Sequence, residues 1–201
     1  RKALAHVIDI DELIEKVARG GAVPASPGYL PIDHIWYNSD VQNYEFDIQK
    51  AKDLLKDESL DLTLLISDDN KEARIAELLK INFAKAGITL KVEPRDMKTR
   101  DSRVKEGDYE LALIGHGGWG RDADSLREVY AVTVAKDQSP TSNIIPGYTN
   151  SKINELSKNQ LVELDNTKRK QIIMELQEII SREIPILPLY NTVEYVVYDP
   201  K

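Results

Sequence analysis

The hydrophobic pattern is most regular between residues 60 and 93. Leu60 to Ser67 is a short run dominated by apolar residues, the mark of a buried strand. Ile75, Leu78, Leu79, Phe83 and Ala86 then recur at helical intervals, predicting a helix over 70–86 with Gly87 as its C-terminal cap. Ile88, Leu90 and Val92 alternate with Thr89, Lys91 and Glu93, the period of a half-buried strand. Strand, helix and strand in this order predict a βαβ unit whose strands lie parallel in one sheet. Tyr109–Ile114 reads as a further strand, after a short helix and turn within Lys98–Asp108.

On the N-terminal side, Ala3, Leu4, Val7 and Ile8 have helical spacing. Asp9-Ile10-Asp11-Glu12 has the spacing of a capping box, from which Ile10, Leu13, Ile14 and Val17 continue as a second helix until Gly20-Gly21. Residues 22–46 carry Pro24, Pro27, Gly28 and Pro31 with scattered aromatics and no period, so they read as a long, packed, irregular segment. A short helix follows Asp47, with Ile48, Ala51, Leu54 and Leu55 on one face. Towards the other end, helices are predicted from about Ser151 to Leu164 and from Asn166 to Glu183, the second with Ile172, Ile173, Leu176, Ile179 and Ile180 inward. Pro185 ends it. Ile186–Tyr190 and Val193–Tyr198 read as closing strands, the first placed at an edge by Pro188.

Composition narrows the classes. The chain has 201 residues, enough for one large or two small domains, and 41% are hydrophobic, enough for a real core. The absence of cysteine excludes a disulfide-stapled scaffold, and the longest apolar runs, such as Leu62–Ile66, are too short to cross a bilayer. The 27 basic and 34 acidic residues leave a net charge of −7 with the signs interspersed, which argues against nucleic acid or an anionic membrane surface and suits a cationic or zwitterionic ligand. The sequence opens inside a helical pattern with no preceding cap, no initiator Met and no leader, and is expected to be cut from a longer protein.

The chemistry concentrates in one loop. Gly115-His116-Gly117-Gly118-Trp119-Gly120-Arg121-Asp122-Ala123-Asp124 lies between the strand ending at Ile114 and a helix capped by Ser125 with Glu128. It therefore sits at the carboxyl end of a sheet strand, where α/β folds place ligands. His116, Gly118, Trp119, Arg121 and Asp122 are the candidate ligand-binding residues. The alternative is structural: the glycines allow a tight turn, Trp119 plugs the edge of the core and the acids cap the helix.

Gly115-x-Gly117-x-x-Gly120 also spells a dinucleotide fingerprint. That enzyme reading is rejected because Asp122 and Asp124 stand where a pyrophosphate needs a bare helix N-terminus, Trp119 obstructs backbone approach, and no strand completes the unit. A hydrolase built on Asp122 and Asp124 lacks an adjacent nucleophile and any assurance of opposed carboxylates. His6, His34 and His116 are dispersed without metal-ligand spacing, and only His116 with Asp122 forms a plausible cluster; no metal, cofactor or catalytic residue is expected.

The order of motifs resembles the family-5 solute-binding proteins of peptide and nickel ABC importers. The resemblance rests on Arg1-Lys2-Ala3-Leu4-Ala5-His6-Val7-Ile8-Asp9, on Phe46 to Leu55, on Ala86-Gly87-Ile88 and on Gly107 to Leu113. It continues through Gly118-Trp119-x-x-Asp122, Gly147 to Ser151 and Glu183 to Tyr190. It implies an α/β, periplasmic-binding-protein-like type II lobe, with a mixed sheet, a βαβ unit and flanking helices. Residues 1–201 are then part of a single lobe of a two-lobed protein, the other lobe and a returning C-terminal segment lying outside them. The protein is implied to be exported, membrane-anchored and partnered by ABC permease subunits. In peptide-binding members the acid three residues after the loop Trp, here Asp122, holds the peptide's α-ammonium while the Trp packs along the ligand. In nickel-type members the loop reads Trp-Gly, as Trp119-Gly120 does, but continues without that acid. The expected cargo is an oligopeptide or dipeptide, with a nickel chelate as the alternative.

Overall fold

The computed structural model describes residues 1–56, 58–115, 120–131, 133–134, 140–141 and 145–193. In chain order the elements are α1 (Lys2–His6), α2 (Ile10–Lys16), β1 (Ala22–Pro24), α3 (Ile48–Leu55), β2 (Leu60–Ser67), α4 (Asn70–Lys85), β3 (Ile88–Arg95) and α5 (Met97–Glu106). They continue with β4 (Leu111–Ala112), α6 (Ser125–Tyr130), β5 (Thr133–Val134), β6 (Pro140–Thr141), α7 (Ser151–Val162), α8 (Asn166–Glu183) and β7 (Tyr190–Thr192). Short polar side chains start the longer helices. Asp47, Asp69, Asp96, Asn150 and Asp165 each accept an amide of the first turn of α3, α4, α5, α7 and α8. Asp9 does the same for α2, accepting the Glu12 amide at 2.9 Å. Glu12 uses its own carboxylate on Lys16 at 2.6 Å and Asn82 at 3.1 Å.

The βαβ unit forms as the pattern predicts. β2 and β3 pair in parallel from Leu60 opposite Ile88 to Ser67 opposite Arg95, joined by α4. Gly87, with φ of +82°, takes the left-handed turn that lets the chain leave α4 and enter β3. Ile75, Leu79 and Phe83 on α4 bury against Leu64, Ile66, Ile88 and Leu90 in one apolar cluster that also takes in α1 to α3. Each such side chain contributes roughly 1.5–3 kcal/mol over exposure.

Among the described residues the central sheet has the order β3-β2-β4 with both pairings parallel, and antiparallel pairing occurs in two further two-stranded ladders. β4 is shorter than the strand predicted over Tyr109–Ile114, because the Glu110 side chain, not backbone, accepts the Thr63 amide at 2.7 Å and ends the ladder there. The first closing strand is displaced. Ile186–Leu189 is not extended into a ladder, since Pro188 has no amide to donate, and the strand is β7, antiparallel to β1 at the start of the segment read as irregular. Residues 194–198 of the second closing strand lie outside the described residues. A second apolar cluster joins Tyr29 and Leu30 to α6, α7 and α8 through Leu126, Val129, Tyr130, Ile153, Ile173, Leu176 and Ile180.

Candidate ligand-binding site

β3 follows β2 on one side of the sheet, and β4 lies on the other. The strand order therefore reverses between β2 and β4, the point at which parallel sheets open a crevice at their carboxyl ends. Arg100 of α5, nearly buried, ties this point together. Its guanidinium donates to the Leu113 carbonyl and to Glu72 Oε1 at 3.2 Å, while Glu72 Oε2 accepts the Ser67 amide at 2.7 Å. The end of β2, the first turn of α4 and the root of the glycine-rich loop are thus fixed by one ion pair.

Of that loop, His116, Gly117, Gly118 and Trp119 lie outside the described residues. Arg121 is exposed. Asp122 is not a lone charge: Arg169 Nη1 and Nη2 donate to its two carboxylate oxygens at 2.9 and 2.7 Å, and the Asp124 amide adds a third bond at 2.9 Å. The bonds from Arg169, and secondarily the Asp124 amide, hold the Asp122 carboxyl below its ordinary value, against an opposing effect of desolvation smaller than that of Arg169. The Asp122 side chain remains 55% exposed and that of Arg169 only 18%. A carboxylate has about four acceptor directions, of which three are used among the described residues.

Arg169 is itself braced. It stacks on Trp36, 5.1 Å from the ring centroid, and donates from Nη2 and Nε to Gln160 Oε1 at 2.8 and 3.2 Å. Trp36 and His34 come from residues 22–46, which α8 laces down. Buried Gln177 donates to the Trp36 carbonyl at 2.7 Å and accepts the Asn38 amide at 3.1 Å, while Ser181 Oγ accepts the Gln42 amide at 3.0 Å. The approach is close enough at Gly28 that an added Cβ would meet Val41 at 2.8 Å and Gln177 at 3.1 Å. His34 Nε2 then donates to the Gly120 carbonyl at 2.9 Å while its Nδ1 accepts the Trp36 amide at 3.2 Å, a pair of bonds that defines the neutral Nε2–H tautomer.

The cap expected at Ser125 is absent. Ser125 is the first helical residue and its Oγ is buried without a hydrogen-bond partner among the described residues; Asp124 precedes it with helical φ and ψ, not the extended geometry a side-chain cap requires. Asp124 instead meets Arg127 Nε and Nη2 at 2.7 and 2.6 Å and accepts Gln160 Nε2 at 2.9 Å. Gln160 therefore bridges both loop acids, through Asp124 directly and through Arg169 to Asp122. Among the described residues, no three of His, Asp and Glu are grouped to hold a metal ion. A separate open cleft of about 450 Å³ is lined by Thr63, Leu65, Glu93, Arg103, Asp108 and Tyr109, and its Arg103 is neutralised by Glu93 at 3.0 Å and Asp108 at 2.8 Å.

Sequence reading found the loop but not its partners Arg169, Gln160, Trp36 and His34. One signal was available for Arg169: it lies four residues before Ile173 and so shares the inward stripe of α8 with Ile173, Leu176 and Ile180, an uncommon place for a charge.

The model of bacterial extracellular solute-binding proteins, family 5 (middle), matches residues 1–138. The dipeptide-binding protein of Escherichia coli (strain K12) is 25% identical over 209 residues, an overlap of 100% of this chain and 38% of that protein. Among solved structures, the periplasmic binding protein DppA of Helicobacter pylori, in complex with the peptide STSA, superposes with a TM-score of 0.81 at 25% identity, covering 94% of this chain and 37% of that one. NikZ of Campylobacter jejuni, in complex with Ni(L-His), shares the fold with a TM-score of 0.79 at 20% identity, over 96% of this chain and 41% of its own. The chain thus spans about two fifths of the length of the proteins it matches, and its α/β architecture is that of periplasmic binding proteins. With the family model matching more than half of its residues, the chain belongs to the family 5 bacterial extracellular solute-binding proteins.

Proposed function

We propose that the protein carrying this chain is the solute-capture component of an ABC importer, which takes up a peptide in a cleft between two lobes and hands it to membrane permease subunits. In this reading residues 1–201 are part of one lobe, the second lobe and a returning C-terminal segment complete the cleft, and capture happens outside the cytoplasmic membrane on an anchored protein. No reaction is catalysed and no cofactor or metal is required. His116, Gly118, Trp119, Arg121 and Asp122 form this lobe's share of the wall, with Asp122 meeting the peptide's α-ammonium and Trp119 packing along the ligand.

The observation that carries the reading is the Asp122 carboxylate, exposed, fixed in direction and with one acceptor direction unused among the described residues. A charge-assisted bond to an ammonium uses that acceptor without breaking the Arg169 fork. Relatives named for peptides support the cargo class. A nickel chelate is the second reading, favoured by Trp119-Gly120 in the loop.

Mass spectrometry of the small molecules released from the natively purified full-length protein separates the two. The peptide reading expects a heterogeneous set of peptides with free amino termini. A homogeneous metal chelate, or a ligand without a cationic amino group, contradicts it.

A further inference from the structure

We propose that Arg169 is the positioning residue of this site: seated on Trp36 and braced by Gln160, it sets the direction in which Asp122 offers its open acceptor to the ligand. This rests on the reading of Asp122 as an ammonium anchor. The two partners are unequal. Arg169 is the more buried member of the pair, stacked on a ring and tied to Gln160, whereas Asp122 is more than half exposed on a loop. The fixed member therefore orients the free one.

The planar fork is what does this. Two parallel N–H donors define the plane of the carboxylate, and the Asp124 amide fills a third direction on Oδ1, so among the described residues the unused acceptor direction is on Oδ2. A lysine at the same place supplies a point charge and no plane. Through Gln160, which also donates to Asp124, the same arrangement couples the two ends of the short Asp122–Asp124 turn. Among the described residues, the charged and titratable groups around Asp122 are Arg169 from α8, His34 from residues 22–46, and Arg121 and Asp124 of its own loop; Arg169 in turn faces Asp122 and Asp124.

The test compares the full-length protein with Arg169→Gln and Arg169→Lys by calorimetry, using trialanine and N-acetyl-trialanine, and follows the Asp122 carboxyl by carbon-13 NMR across an acid titration. Arg169→Gln is expected to cut the preference for the free over the acetylated peptide by about ten-fold and to raise the Asp122 midpoint. Arg169→Lys is expected to keep the midpoint low, because the charge remains, and still to lose most of the preference, because the plane does not. A preference unchanged in both variants overturns the positioning role while leaving the peptide reading intact. A wild type that binds neither peptide contradicts the Asp122 reading instead. In that event the titration still decides: a midpoint unmoved by Arg169→Gln overturns the fork as the group that holds Asp122, and a raised midpoint supports it.

Discussion

Glu72 on the first turn of α4 accepts both the Arg100 guanidinium and the amide of Ser67 at the end of β2, on opposite carboxylate oxygens. Because Arg100 also donates to the Leu113 carbonyl, one nearly buried ion pair carries the geometry of the crevice between β2 and β4. Removing one member of a buried pair costs far more than the pair contributes. Glu72→Ala is therefore expected to lose about 3 kcal/mol of stability in urea unfolding, and replacing both Glu72 and Arg100 by Met is expected to recover only part of that loss, because the Ser67 amide and the Leu113 carbonyl lose these partners. A Glu72→Ala variant as stable as wild type contradicts this.

A half-buried and a fully buried tyrosine make opposite predictions. Tyr148 Oη donates to Glu183 at 2.6 Å, whereas Tyr130 Oη is buried with no hydrogen-bond partner among the described residues. Tyr148→Phe is expected to cost about 2 kcal/mol, and Tyr130→Phe to leave stability unchanged or to raise it by about 1 kcal/mol. A large loss from Tyr130→Phe shows that its hydroxyl has a partner.

Acid stability follows from Asp122. Its folded value is depressed, chiefly by the bonds from Arg169, so the contribution of the pair is present above about pH 4 and is lost as the pH falls through the folded value. The stability difference between wild type and Arg169→Gln should shrink on acidification from pH 6 to about pH 2.5, read from urea midpoints. A constant difference removes the electrostatic account. At the alkaline end the sign reverses. Burial pushes Tyr29 up to about 12 and Tyr130 well above its usual value, so the stability they contribute is present below about pH 10 and is lost as the pH rises beyond it. Part of the tyrosinate absorbance should appear only together with loss of the far-ultraviolet helical signal.

The α3 terminus offers a stabilising change. Lys56 caps it in the left-handed region, with φ of 56°, where a Cβ is unfavourable. Lys56→Gly is expected to raise stability by about 1 kcal/mol, measured by thermal or urea unfolding. A destabilised variant shows that the Lys56 side chain matters more than its backbone.

What the sequence makes legible is what short-range pattern determines. β2, α4 and β3 stand where alternation and helical spacing predict them, because Leu64, Ile75, Phe83 and Ile88 must meet in one cluster. The β1–β7 ladder is illegible: each strand has three residues, one contains Pro24, and the partners come from opposite ends of the chain. The candidate loop is visible through its glycines and acids. Its bracing is not, since Arg169 and Asp122 are 47 positions apart and Trp36 lies in a segment with no period at all. The lacing of residues 22–46 runs through side chains such as Gln177 and Ser181, which hydropathy patterning counts only as polar positions on a helix.

Whether Asp122 receives a peptide's amino terminus, as proposed, is read by calorimetry of the full-length protein with trialanine and N-acetyl-trialanine, before and after Asp122→Asn. Because Arg169 already answers part of the carboxylate's charge, the loss is expected near the lower end for a charge-assisted bond, about 1.5 kcal/mol or roughly ten-fold for the free peptide. The acetylated peptide should bind weakly to both proteins and distinguish little between them. Equal affinity of wild type and Asp122→Asn for free trialanine would contradict the account and leave Asp122 as the loop's structural tie to α8.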